Sequence, residues 1–240
     1  MTALVVSDLH LDPARPEIAA QFRAFLEGPA RRARALYVLG DLFELWIGDD
    51  DPEPGKRAVI GALRALSDAG VGLYFLHGNR DFLLGARFCA ETGGELLTDP
   101  TIVERDGRRA LVTHGDALCT DDGPYQRLRA LVRDPRWQAE FLALDLGVRA
   151  TLAREARAGS TEHTRAQPAM LMDVNEAAVA AAFRAAGVDT LIHGHTHRPA
   201  VHALEVDGRP RTRIVTGDWY TQGSVLTWDA AGLRLEALPR

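Results

Sequence analysis

Five short apolar runs in this chain each end at a side chain able to hold a cation. Ala35-Leu36-Tyr37-Val38-Leu39 stops at Gly40-Asp41, and Leu4-Val5-Val6 stops at Ser7-Asp8-Leu9-His10. Leu73-Tyr74-Phe75-Leu76 runs into His77-Gly78-Asn79-Arg80-Asp81, and Ala110-Leu111-Val112-Thr113 into His114-Gly115-Asp116. Leu191-Ile192 leads to His193-Gly194-His195-Thr196-His197. Runs of this length and composition read as fully buried strands. Open α/β sheets place their sites at the carboxyl ends of such strands. A fold that gathers Asp, His and Asn at one sheet edge makes a metal site, with Asp41 expected to touch two metals at once.

Seven side chains belong to this set: Asp8, His10, Asp41, Asn79, His114, His195 and His197. Asp8 and His10 are two apart, as are His195 and His197. In extended backbone such positions point the same way, so each pair is expected to grip one site without a special turn. Carboxylate, imidazole and amide without thiolate suit Mn²⁺, Fe²⁺ or Zn²⁺. Seven ligands are too many for one ion and reasonable for two. Two metals about 3.5–4 Å apart clamp a phosphate and lower the pKa of a shared water toward neutrality. His77 and His193 read as core or supporting residues, and His202 as a surface position.

At 240 residues the chain is expected to be one domain, 1–240, with an elaborated insertion. A net charge of −5 argues against a nucleic-acid partner, which usually meets a basic excess. Cys89 and Cys119 fit neither a zinc nor a disulfide spacing and read as reduced, buried thiols. The amino terminus goes straight into a strand, so no signal peptide is expected, and no apolar run approaches the ~20 residues of a membrane span.

Along the chain, Pro16-Glu17 opens a helix with Ile18, Phe22 and Phe25 as its buried stripe. The acidic run Asp49, Asp50, Asp51 reads as a solvated loop. Val59, Ile60, Leu63 and Leu66 mark a second helix ended by Gly70, and a short helix is expected around Phe82 to Ala90. Hairpins are expected at Asp106-Gly107 and Asp207-Gly208. Asp173-Val174-Asn175-Glu176 reads as a helix cap. Between about 120 and 170 only helical periodicity is present, with eight Arg against seven Asp or Glu. Tyr125, Leu128 and Val132 share one face there, and Trp137, Phe141 and Leu144 another. This insertion reads either as a substrate lid over the strand ends or as a small bundle packed on the core.

The ordered set Asp8-x-His10, Gly40-Asp41, Gly78-Asn79, His114 and Gly194-His195-x-His197 resembles the calcineurin-like metallophosphoesterases. The resemblance implies a four-layer α/β/β/α sandwich carrying a helical insertion. It assigns Asp8, His10, Asp41 and His197 to one metal, and Asp41, Asn79, His114 and His195 to the other. Most of that superfamily has His after the Asn; here Arg80 stands in its place. Together with Phe43 to Asp50, His114 to Asp122 followed by Tyr125-Gln126, Met172 to Asn175, and Gly194 to Pro199, Arg80 makes the chain similar to one branch. That branch hydrolyses the diphosphate of UDP-2,3-diacylglucosamine to UMP and 2,3-diacylglucosamine 1-phosphate in lipid A synthesis.

The branch implies two Mn²⁺ per subunit and a cytoplasmic, monomeric enzyme held peripherally at the inner membrane. It implies catalytic roles for Asp41, Asn79, Arg80, His114 and His195. Substrate contacts carry over to Asn79, Arg80, Asp122, Ser160, Thr164, Gln167 and His195. Gln167 stands where that branch carries Lys, and Arg165 or Arg157 nearby would supply the missing charge. The two acyl chains need an apolar groove, which Tyr125, Leu128, Phe141, Leu144 and Leu152 of the insertion could line. Each acyl methylene buried there contributes ~0.8 kcal/mol. Two other readings stay open: a di-metal phosphodiesterase acting on a nucleotide, and a non-catalytic scaffold with this fold.

Overall fold

In the computed structural model, which describes residues 2–166 and 173–239 and the side chains of all these except 160–166, the first three apolar runs are adjacent parallel strands. β1 (Ala3–Val6), β2 (Ala35–Val38) and β3 (Gly72–Phe75) lie in register, Val5 opposite Tyr37 and Tyr37 opposite Tyr74. They are joined by α1 (Pro16–Glu27) and α2 (Pro54–Asp68). Pro opens both helices, where a missing N–H costs nothing, and the Glu53 side chain caps α2 by accepting from Gly55 N and Lys56 N.

The short helix α3 (Ala86–Thr92) begins four residues later than the sequence suggests. Leu84 N turns back to Asp81 O, and the Asp49 carboxylate takes the N–H groups of Gly85 and Phe88, so the helix starts where Asp49 receives it. Then come β4 (Glu95–Leu96), parallel to β3, and the hairpin of β5 (Thr101–Arg105) and β6 (Arg108–Thr113). Its turn has Asp106 and Gly107 at φ of 49° and 75°, the double positive φ that makes Asp-Gly favoured there.

The insertion is α4 (Gly123–Val132), α5 (Pro135–Leu142) and α6 (Leu146–Ala166). After it come α7 (Glu176–Ala186), capped by Asn175 accepting from Ala178 N, and β7 (Thr190–His193). The hairpin β8 (Ala200–Val206) and β9 (Arg209–Val215) turns at Asp207-Gly208, and β10 (Gly223–Asp229) with β11 (Gly232–Leu238) ends the fold. One sheet runs β11-β10-β1-β2-β3-β4 and the other β5-β6-β7-β9-β8.

Strand alternation sorts the core into three layers. Leu4, Val6, Leu36, Val38, Leu73 and Phe75 face α1, α2 and α3. Val5, Tyr37 and Leu226 face Val112, Ile192 and Ile214 of the second sheet. Leu111 and Leu191 face Val179 and Phe183 of α7. The result is the expected α/β/β/α sandwich. Trp219, fully buried, sets its ring edge-on to Phe22 and Phe25 at 5.7 Å from each, and so pins the loop after β9 onto α1.

The insertion does not pack as a closed bundle. No residue of α4 or α5 is buried, and Leu131, Leu142 and Val148 are exposed. α6 is fastened through buried Arg149, which donates to Ile47 O at 2.6 Å and to Asp50 Oδ1 at 2.8 Å. The acidic run is therefore more than a solvated loop, although Asp50 remains exposed. Asp49 holds α3, Asp50 holds α6, and Asp51 pairs with the buried Lys56 ammonium at 2.6 Å. A sequence read locally shows three charges; the partners of Asp49 and Asp50 come from elsewhere in the chain. Among the described residues no helix is long and apolar enough to cross a membrane.

Candidate metal centre

Asp8, His10, Asp41, His195 and His197 all have positive φ, at 53°, 49°, 53°, 67° and 55°. Among the described residues the only other non-glycine cases are the hairpin residues Asp106 and Asp207. Non-glycine residues enter this region at a cost and cluster there at functional sites. The Asp8/His10 and His195/His197 pairs therefore do not converge through extended backbone, as the two-residue spacing suggests. The chain turns at each of these residues and swings it inward. Main-chain bonds fasten the turns to one another: Asp8 N donates to Gly40 O at 3.2 Å, and His10 N to Asp41 O at 3.0 Å.

The glycine before Asp41 is required by geometry. Gly40 has φ of 88°, and a Cβ there would lie 2.6 Å from Gly78 Cα. Behind both loops sits the fully buried Asp81 carboxylate. It accepts from Gly78 N at 2.8 Å, Leu42 N at 2.7 Å and Asp41 N at 3.2 Å, tying the end of β2 to the end of β3. Burial, with the Asp41 charge added, pushes its carboxyl up to about 6.

The seven donors fall into two groups that meet at Asp41. On one side His10 Nε2 lies 3.1 Å from His197 Nε2, 3.6 Å from Asp41 Oδ2 and 4.0 Å from Asp8 Oδ1, and His197 Nε2 lies 3.4 Å from Asp8 Oδ1. On the other, His114 Nε2 lies 3.8 Å from Asp41 Oδ1 and 3.0 Å from Asn79 Oδ1, which is 2.9 Å from His195 Nδ1. Each Asp41 oxygen faces one group.

The far nitrogens of three of these rings are also engaged. His114 Nδ1 donates to Leu39 O at 2.8 Å, His10 Nδ1 lies 2.8 Å from Glu44 Oε2, and His197 Nδ1 lies 3.4 Å from Asp218 Oδ2. Such partners fix the tautomer and leave the inner lone pair for a cation. Trp219 holds the loop that carries Asp218. Asp8, Asp41 and His114 are buried. Burial opposes protonation of His197, yet Asp218 and Asp8 push its imidazole up to about 10. A proton there offsets carboxylate charge that a divalent cation would neutralise in its place. The donor set, its convergence and its charge fit two divalent metals.

An apolar cavity of about 570 Å³ opens beside this cluster, bounded by Trp46, Arg80, Tyr125, Leu128, Phe141 and Leu144 among others. Asn79 and Arg80 line it as well as adjoining the donors, and Leu152 and Arg157 come to it from α6. The Tyr125 ring stacks with His195, centroids 5.9 Å apart, and its hydroxyl donates to Asp116 Oδ2 at 2.7 Å. Burial, with Asp116 alongside, pushes that phenol far up. Tyr125 therefore stands at the junction of cavity and cluster. Asp122 Oδ1 accepts from Tyr125 N at 3.0 Å and so caps α4. Gln167 lies outside the described residues, and Ser160, Thr164 and Arg165 outside those with described side chains. His77 Nε2 donates to Leu84 O at 2.7 Å; His193 is fully buried, and burial pushes its imidazole down to about 4. His202, on edge strand β8, is partly exposed.

Sequence reasoning missed Glu44, Asp81, Asp116 and Asp218. Asp81 and Asp116 each lie two residues beyond a proposed ligand, which is the one sequence signal they carry. Asp116 also accepts from Arg129 Nε at 2.8 Å and thereby seats α4 on the core. Burial opposes its ionisation, but His114, Arg129, His195 and Arg133 hold its carboxyl well below the usual range. Cys119 is buried, and burial pushes its thiol up to about 12.

The chain belongs to the calcineurin-like phosphoesterases, whose family model matches residues 1–199. Within that class its similarity is narrower. A UDP-2,3-diacylglucosamine hydrolase of Stenotrophomonas maltophilia (strain K279a) is 53% identical over 100% of both chains. Another of that description, from Xanthomonas oryzae pv. oryzae (strain PXO99A), is 50% identical over 98% of each. A solved structure described as a novel archaeal phosphodiesterase matches with a TM-score of 0.49 at 14% identity, covering 99% of this chain and 100% of its own.

Proposed function

We propose that this chain hydrolyses the diphosphate of UDP-2,3-diacylglucosamine, releasing UMP and 2,3-diacylglucosamine 1-phosphate. One observation carries the reading: Asn79 of the donor cluster and the adjoining Arg80 both line the apolar cavity, so a diphosphate on the first places a lipid in the second. The identity to hydrolases of that substrate over the full length supports it.

Asp8, His10, Asp41 and His197 would hold one metal, and Asp41, Asn79, His114 and His195 the other. Bound there, two divalent cations supply Lewis-acid charge that polarises the phosphoryl oxygens and favours ionisation of the attacking water. The donor set, oxygen and imidazole without thiolate, suits Mn²⁺. Arg80 presents its planar fork to the non-bridging oxygens, as suits a phosphate. Asn79 and His195 bear on the same oxygens, and Tyr125, over His195, closes that side against water. Leu128, Phe141, Leu144 and Leu152 take the acyl chains. Asp122, Ser160, Thr164 and Gln167 complete the contacts to the nucleotide and sugar, with Arg157 or Arg165 supplying the charge that Gln167 lacks.

The enzyme works at the cytoplasmic face of the inner membrane as a peripheral, monomeric protein. Exposed Leu131, Leu142 and Val148, all on the insertion, support peripheral attachment, since apolar side chains left in water gain by contact with lipid. Phosphorus NMR of UDP-2,3-diacylglucosamine with the purified chain and Mn²⁺ tests the activity. UMP and the sugar 1-phosphate should accumulate together. An intact diphosphate, with turnover only of nucleotide phosphodiesters, would overturn the assignment.

A further inference from the structure

Glu44 touches the donor cluster and the insertion at the same time. It lies in the loop after β2, three residues beyond Asp41, and its main chain is pinned by Glu44 N donating to Leu11 O at 3.1 Å. Its side chain, 12% exposed, lies with Oε2 2.8 Å from His10 Nδ1 and 3.7 Å from the Arg15 guanidinium. The other oxygen, Oε1, accepts from Arg157 Nε. Arg157 belongs to α6 and lines the apolar cavity.

Two effects meet in one carboxylate. Its charge, 2.8 Å from Nδ1, favours the His10 proton on that side of the ring and so leaves Nε2 for a cation toward Asp8, Asp41 and His197. Its Oε1 is held by Arg157, so the orientation of the carboxylate depends in part on α6 being seated. The far-side partner of His114 is a main-chain carbonyl, and that of His197 sits on the loop anchored by Trp219. The partner of His10 is instead bound to the insertion.

We propose that Glu44 is a positioning residue coupling α6 to the metal centre: Arg157 holds Glu44, Glu44 orients His10, and seating of α6 strengthens cation binding by Asp8, His10 and His197. The proposal rests on reading that cluster as a metal site. By linkage the coupling runs both ways, so a cation at this site also steadies α6.

Mn²⁺ titration of the full chain without substrate, read from the free-ion EPR signal, tests it. The wild type should bind two equivalents. In Glu44→Gln one of them should weaken about ten- to a hundred-fold, the usual loss when a ligand's partner is removed, while the other keeps its affinity. Arg157→Ala should weaken the same equivalent, and adding it to Glu44→Gln should cost nothing further. Wild-type affinities in Glu44→Gln would overturn the positioning role. Unchanged affinity in Arg157→Ala, or additive losses in the double variant, would overturn the coupling. If Glu44→Gln does not fold, Arg157→Ala alone decides. Failure of the wild type to bind two equivalents would overturn the metal-site reading itself, a separate result.

Discussion

The backbone N–H of Arg80 donates to Oδ1 of Asp41 at 2.8 Å. The proposed shared ligand and the proposed phosphate-binding cation are thus set against each other by the main chain. Asp81, accepting from both loops, holds that arrangement from below.

Asp41→Ala should remove the acceptor for Arg80 N along with the oxygens facing both groups. Turnover should fall about a thousand-fold or more, as when a central electrostatic group of an active site is lost. Metal analysis of the dialysed variant should show less than two equivalents. Two full equivalents would remove Asp41 as the shared ligand.

Arg80→Ala should separate turnover from folding. The Arg80 main chain keeps its bond to Asp41, so the melting temperature should stay near wild type. Turnover should fall about a hundred- to a thousand-fold. Lys at this position should restore little, since it lacks the bidentate fork. Near-full activity in Arg80→Ala would show that Arg80 does not act on the phosphate.

Leu128 is 48% exposed and lines the cavity, so Leu128→Asp buries no charge in the main core. Use of the diacyl substrate should fall sharply. Slow hydrolysis of a small chromogenic phosphodiester should hardly change. Measuring both rates and the melting curve on one preparation is decisive: parallel loss of both rates with a lowered melting temperature would mean that α4 serves the fold and not the lipid.

Arg149→Met should loosen the insertion. It strips a donor from Ile47 O and from Leu144 O, the latter accepting from Arg149 Nε at 3.1 Å, while Asp50 is exposed enough to hydrate. Leaving such groups unsatisfied costs about 1–3 kcal/mol each. In a chain of this size each kcal/mol lowers the melting temperature by about 2–4 °C. An unchanged melting curve would show that α6 is held elsewhere.

Chelation should lower the melting temperature of the wild type, and Mn²⁺ should restore it. A ligand present at a hundred times its dissociation constant stabilises by about 2.7 kcal/mol. Asp8→Ala should respond less, having lost a donor from one group. Differential scanning fluorimetry with and without EDTA checks this, and no shift in the wild type would argue against resident metals.

The sequence by itself determined the strands, their polar ends and the hairpins. Apolar runs such as Ala35 to Leu39 can hardly be placed except inside, and Asp-Gly at 106–107 and 207–208 supplies the positive φ that a tight hairpin requires. Those signals lie among neighbours, where steric and turn chemistry act directly. The tertiary structure decided the rest, through contacts between distant parts of the chain. Glu44 and Arg157 are 113 residues apart, and Asp50 and Arg149 are 99 apart. Nothing near Asp50 shows that it holds a helix, and nothing near Glu44 shows that it faces His10. The i, i+2 spacing of Asp8 and His10 even suggested the wrong backbone. Extended strands would align such a pair, but here Asp8 and His10 each turn left-handed to reach the cluster, a cost that only the assembled site can offset.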